Sequence, residues 1–195
     1  VTTDPTTPSA RQTELLESAY RYALTHGLAE MSLRPLAAAI GSSPRVLLFL
    51  FGSKDGLVRA LLARARADEL ALMDRLRHAA DSDHVGFGAA VDQIWGWLAA
   101  DEHQPLLKLW TEAYARSLVE PDGAWAGFAR DTVEDWLDVL AEYQAPQEKS
   151  TAEGIARRTL ALAVVRGGLL DLLATGDKDR VSRAVRVHLA TLGTD

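Results

Sequence analysis

The chain has no cysteine among its 195 residues. A disulfide framework, thiolate catalysis, cysteine-ligated zinc and thiol redox sensing are thereby excluded. No apolar run approaches the length of a membrane span, so no membrane partner is expected. The opening stretch VTTDPTTPSA carries neither the basic nor the apolar region of a secretory leader, and a cytoplasmic location is the expectation. Strand signals are nearly absent, with no clear polar–apolar alternation bounded by hairpin turns. The Gly-x-Ser-x-Gly elbow, the phosphate-binding P-loop and the dinucleotide fingerprint are missing too. His26, His78, His84, His103 and His188 show no His-Glu-x-x-His spacing. Asp81, Asp83 and His84, or Glu102 with His103, offer oxygen and nitrogen ligands but read as solvated loop. No catalytic residue, metal site or cofactor is expected.

What is present is helical. Hydrophobic residues make up 48% and charged residues 25%, as in an ordinary folded domain. Apolar residues recur at three-to-four spacing almost throughout. The net charge of -6 is unevenly spread: residues 1–66 carry eight Lys/Arg against five Asp/Glu, while 67–195 carry thirteen against twenty-two. A weakly basic first third therefore precedes an acidic remainder. That polarity suits a head that meets phosphates and a body that does not.

Residues 1–8 are rich in Thr and Pro and are expected to be disordered. Ser9 followed by Gln12 reads as a capping box for a first helix that ends at Gly27. Its inward face is Leu15, Leu16, Ala19, Ala23 and Leu24. A short second helix follows, with Ser32 as N-cap, Leu36, Ala37 and Ile40 facing in, and Gly41 at its end. Ser43 caps a third helix with Pro44 at its first position, and Gly52 stops it. Ser53 caps a long fourth helix expected to reach about His78, followed by a break at Asp81–His84. Further helices are expected over about 85–100, from Pro105 to Pro121, over about 124–143, 151–174 and 178–192. The fold class is all-α with about nine helices.

Two short helices with Gly41 in the turn between them, followed by a tight link, form a helix-turn-helix. Gly41 permits the left-handed backbone of the turn, and Leu36, Ile40, Leu47 and Phe51 lock the pair. The second helix then offers its N-terminal half to the DNA major groove. Three short helices packed as a bundle would share that outline. The longer run SLRPLAAAIGSSPRVLLFLFGSKDGLVRALL is more specific. It resembles the N-terminal domain of the TetR family, whose pattern is Thr/Ser-x-x-x-Ile-Ala-x-x-Ala-Gly-Val-Ser-x-x-x-Leu-Tyr-x-His-Phe, then Lys-Glu/Asp-x-Leu. The matching residues are Ser32, Leu36, Ala37, Gly41, Ser43, Leu47, Phe51, Lys54, Asp55 and Leu57. The resemblance covers about Gln12 to Leu62.

The resemblance implies a DNA-binding regulator, a repressor that leaves a palindromic double-stranded operator when a small hydrophobic or aromatic effector binds. It implies a helix-turn-helix domain over 9–53 and an effector-binding and dimerisation domain over 54–195, joined by a helix over 54–78. Arg34 would touch phosphate or a base edge. Ser43, Pro44, Arg45 and Val46 would open the recognition helix, and Lys54 would hold a backbone phosphate. The chain departs from the pattern at Leu48 and Leu50, where the family often has Tyr and His. In one reading Leu48 or Leu50 extends the packing of the head; in the other Leu48 and Phe49 lie against thymine methyls.

All five tryptophans lie between Trp95 and Trp136. They read as core or as an effector pocket, with Trp95, Trp110, Tyr114 and Trp136 the candidate ligand contacts. The helix LALAVVRGGLLDLLATGD is apolar around much of its circumference and must be covered on most faces. Leu162, Val165, Gly167, Leu169 and Leu173, with Val181, Val185, His188 and Leu192 on the last helix, are the expected homodimer interface. The family resemblance implies the same pairing. The competing readings are an all-helical enzyme, or an interaction module whose helix-turn-helix is only structural.

Overall fold

The computed structural model describes residues 9–28, 31–83 and 86–192, and at 77, 79–83 and 192 the backbone alone. The 1–8 tail and His84 lie outside the described residues, as do the side chains of Asp81, Asp83 and Leu192. The described residues contain no strand and form nine α-helices. These are α1 (Ala10–His26), α2 (Leu33–Ala39), α3 (Pro44–Phe51), α4 (Lys54–Asp83), α5 (Phe87–Leu98), α6 (Gln104–Val119), α7 (Phe128–Glu142), α8 (Ala152–Thr175) and α9 (Lys178–Leu192). A 3-10 turn, Asp101–His103, precedes α6. No single helix among the described residues is long and apolar enough to cross a membrane.

The helix ends follow the capping chemistry. The Ser9 hydroxyl accepts from the Gln12 amide at 3.2 Å, and the Ser43 hydroxyl from Val46 at 3.3 Å. Only half of the expected capping box on α1 forms, because the Gln12 side chain turns away and donates to the Leu50 carbonyl at 3.1 Å. Ser32 occupies the N-cap of α2 but makes no side-chain capping bond. Pro35 sits at the third helical position and has no N–H to offer it. Gly41 (φ 64°) closes α2 with a paired turn: Ser42 N–H reaches the Ala37 carbonyl at 2.8 Å and Gly41 N–H that of Ala38 at 3.4 Å. Those two bonds satisfy carbonyls that a helix end leaves open.

Two elements differ from expectation. Helix α4 runs on to Asp83 rather than ending near His78, since neither glycine nor proline interrupts the chain between Gly56 and Gly86. Helix α7 begins at Phe128 instead of 124, because Gly127 takes φ 79° and ends the turns before it.

The chain divides into two compact units, Val1–Ala67 with Lys108–Phe128, and Asp68–Leu107 with Ala129–Asp195. The first unit buries Leu15, Ala19, Tyr20, Ala23, Leu36, Ala37, Leu47, Leu57 and Leu61. Leu16, Leu24, Ile40 and Phe51, also expected inside, are half-buried. Arg64 of α4 pairs with Glu17 of α1 at 2.5 Å and lies over the Tyr20 ring. In the second unit α9 packs on α8 and α5, burying Phe87, Val91, Ile94, Trp95, Leu98, Leu162, Val165, Val181 and Val185. Leu72, Met73, Trp136, Val139 and Leu140 are buried in the same unit, and the Tyr143 hydroxyl donates to the Leu76 carbonyl.

Candidate DNA interface and effector region

Helices α2 and α3 are bent by 102° across their four-residue link. That lies within the range of about 90–120° for a helix-turn-helix pair. The angle follows from the paired turn at Gly41 and the cap at Ser43, with Leu36 and Leu47 fully buried between the helices. With Leu47 turned inward, α3 presents Arg45, Val46, Leu48 and Phe49 outward. Val46 is 38%, Leu48 41% and Phe49 85% exposed, while Leu50 is half-buried. The two readings of the apolar stretch thus divide by residue: Leu50 packs, and Leu48 and Phe49 face solvent.

Beside α3 lies an open groove of about 510 Å³, lined by Met31, Ser32, Leu33, Arg34, Pro44 and Lys54. It brings together Arg34 from α2, Pro44 from α3 and Lys54 from α4, three of the residues singled out in the sequence. Lys54 is the first residue of α4, so its ammonium sits at the positive end of that helix. Arg34 and Lys54 are both exposed. Among the described residues that line it, Arg34 and Lys54 carry positive charge and none is acidic, a composition suited to an anion.

The aromatic candidates divide between the two units. Trp110 (buried) and Tyr114 (half-buried) belong to the first, Trp95 and Trp136 (both buried) to the second. Trp95 donates through Nε1 to the Ser182 hydroxyl at 3.1 Å. Its ring lies so close to Gly168 that a Cβ there would stand 3.1 Å from it. Trp95 is therefore the centre of the α5–α8–α9 packing. Trp136 Nε1 donates to Glu69 Oε1 at 2.8 Å, and Glu69 is 1% exposed. Sequence reasoning missed this buried carboxylate. Its only signal was a Glu at the register of the α4 apolar stripe, four residues after Ala65 and three before Leu72. Among the described residues no group of three or more His, Asp or Glu side chains could hold a metal.

Of the expected dimer residues, Leu162, Val165, Val181 and Val185 are buried in the packing of α8, α9 and α5. Leu169, Leu173 and His188 are half-buried, and Gly167 is exposed. The outward stripe of α8 is Ala156, Leu160, Ala163, Gly167, Leu170 and Ala174, all exposed and spaced four, three, four, three, four. On α9 Ala184 and Val187 are exposed as well. A helix apolar on both faces gives the sequence no means of telling its inner stripe from its outer one.

Residues 15–61 match the family model described as bacterial regulatory proteins, tetR family. The whole chain is similar in fold to solved structures. A TetR family transcriptional regulator from Cytophaga hutchinsonii is 15% identical with a TM-score of 0.76, over 99% of this chain and 100% of that one. A transcriptional regulator from Rhodococcus sp. Rha1 is 18% identical with a TM-score of 0.75, over 93% and 95%. The multidrug binding protein EbrR, complexed with proflavin, is 25% identical with a TM-score of 0.62, over 92% and 99%. No curated protein matches the chain by sequence.

Proposed function

We infer the mechanism from what the molecule is: the chain belongs to the TetR family of bacterial regulatory proteins and is a DNA-binding transcriptional regulator. We propose that it is a repressor that binds a palindromic operator as a homodimer and leaves it when a small hydrophobic or aromatic effector binds. The observation that carries the DNA reading is the 102° helix pair with the Arg34–Lys54 groove beside its exposed second helix. The groove receives a backbone phosphate and fixes register. Arg45 reaches a base edge, and Ser43, Pro44 and Val46 bring the start of α3 against the duplex. The exposed stripe on α8, with Ala184 and Val187, supports association of two copies through a four-helix bundle.

The effector is a flat, largely apolar molecule. This is supported by the proflavin complex of EbrR, a protein of the same fold, and by the Trp136–Glu69 pair. That pair places a carboxylate and an indole N–H among buried apolar side chains, a mixture of the kind that lines small-molecule sites. Trp95 is a second candidate contact within the same unit, and Trp110 and Tyr114 on α6 are separate candidates within the other.

Selection of bound duplexes from random DNA, followed by salt titration of the selected site, tests the DNA reading. A palindromic consensus is expected. Lys54→Ala should weaken binding uniformly across sequences and lower the salt slope by about 1, whereas Arg45→Ala should cost about 1–3 kcal/mol and relax specificity at one position. Selection that enriches no sequence, with no salt-dependent binding, would end the proposal.

A further inference from the structure

The recognition helix α3 has the sequence PRVLLFLF. Only Arg45 among its side chains can form a hydrogen bond. Yet Val46, Leu48 and Phe49 are turned to solvent, Phe49 at 85% exposure. Three apolar side chains facing out on one eight-residue helix mark it as a contact surface. The charges around it say what. Arg34 and Lys54 line the adjoining groove, and Arg45 stands one helical turn before Phe49 on the same face. Residues 1–66 carry eight basic against five acidic side chains. An apolar face ringed by cations fits a polyanion that displays apolar groups.

In the major groove of DNA one base edge alone carries such a group, the C5-methyl of thymine. Guanine, cytosine and adenine present hydrogen-bonding atoms there, which Val46, Leu48 and Phe49 cannot use. We propose that α3 reads its operator chiefly through thymine methyl groups, with Phe49 and Leu48 as the specificity-determining contacts and Arg45 supplying the one hydrogen-bonded base. The inference rests on the DNA-binding reading above and adds the chemical class of base that the helix selects.

Replacing thymine by deoxyuracil removes only the methyl and leaves base pairing intact. On the selected operator, each thymine is replaced singly and the affinity of the full chain measured by fluorescence anisotropy. At one or two positions per half-site the replacement should weaken binding about fourfold, the worth of one buried methyl. Phe49→Ala should weaken binding to the thymine operator and abolish the thymine–uracil difference at its own position; Leu48→Ala should do so at a neighbouring one. Phe49 is solvent-exposed, so its alanine variant should melt with the wild type. Equal affinity for every uracil operator overturns the inference, as does Phe49→Ala with all thymine–uracil ratios unchanged. A change in oligomeric state with those ratios intact would assign Phe49 to a protein contact and overturn it as well. If no duplex is selected at all, the DNA-binding reading itself fails. Selected, salt-dependent binding that is blind to the methyl defeats this inference alone.

Discussion

The carboxamide of Gln12, near the start of α1, donates to the carbonyl of Leu50, near the end of α3, at 3.1 Å. That carbonyl belongs to the last turn of α3, where intrahelical partners run out. Gln12→Ala should cost about 0.5–1.5 kcal/mol, the net worth of an ordinary hydrogen bond. Gln12→Glu should cost at least as much, since it sets a second acceptor against the carbonyl. Urea midpoints at constant slope measure both; a Glu variant as stable as wild type would refute the assignment.

Leu28, just beyond the end of α1, donates its backbone N–H to Glu112 Oε2 of α6 at 2.9 Å, across 84 residues of sequence. Glu112→Ala should lose about 1–3 kcal/mol, because a partly buried amide loses a charged acceptor. Glu112→Gln keeps an acceptor oxygen and should recover most of that. Hydrogen exchange at the Leu28 amide gives the local readout. Unchanged protection in the alanine variant would show that the bond contributes nothing.

Gly56 lies in the first turn of α4, where a Cβ would stand 2.0 Å from the Phe51 carbonyl oxygen. Backbone cannot yield as a flexible side chain does, so Gly56→Ala should destabilise by about 1–3 kcal/mol or more. Gly96 in α5 provides the control. Nothing lies within 4 Å of a Cβ there, and Gly96→Ala should stabilise by about 0.5–1 kcal/mol through helix propensity. Denaturant midpoints moving in opposite directions are the expected result.

Asp171 of α8 and Arg180 of α9 form a two-point ion pair at 2.8 and 3.0 Å. The hydrogen bond from Arg180 holds the Asp171 carboxyl below its usual value, with the charge of Arg180 adding to it and burial opposing. A lowered folded-state pKa means that the contribution is present above the unfolded value and lost as pH falls through the folded one. The window is therefore acidic, below about pH 4. Asp171→Asn should be slightly less stable than wild type at neutral pH, and the two stability curves should converge in acid. Curves that stay parallel down to pH 2 would count against the pair.

Leu170 is 55% exposed on the outward stripe of α8. Glutamate is a good helix former, so Leu170→Glu should leave the protomer folded while placing a charge in the proposed interface. Sedimentation at micromolar concentration should show a dimer for wild type and a 21.2 kDa species for the variant. A wild-type monomer would defeat the homodimer outright.

The head was largely legible in the sequence because its signals are local. Ser9, Ser43, Ser53, Gly27, Gly41 and Gly52 set helix ends through bonds spanning only a few residues. Where a local rule failed, a second local fact was responsible: Pro35 removes the N–H that Ser32 would cap. Signals that depend on tertiary partners were not legible. The capping-box glutamine found the Leu50 carbonyl, 38 residues away. The buried Glu69 needed Trp136 to make sense of it. On α8 the inner and outer stripes look alike until α5 and α9 are seen to cover one of them.

The first compact unit is discontinuous, since residues 108–128 join residues 1–67 within it. Heads and bodies of related regulators therefore cannot be exchanged here by a single crossover. A recombinant spliced after α3 or within α4 would take Leu28 from one parent and the residue facing it from the other. Productive shuffling needs either a donor with a carboxylate at the position of Glu112 or a second crossover that carries α6 along. That couples the inheritance of operator choice to a stretch of chain that reads, in one dimension, as part of the sensor.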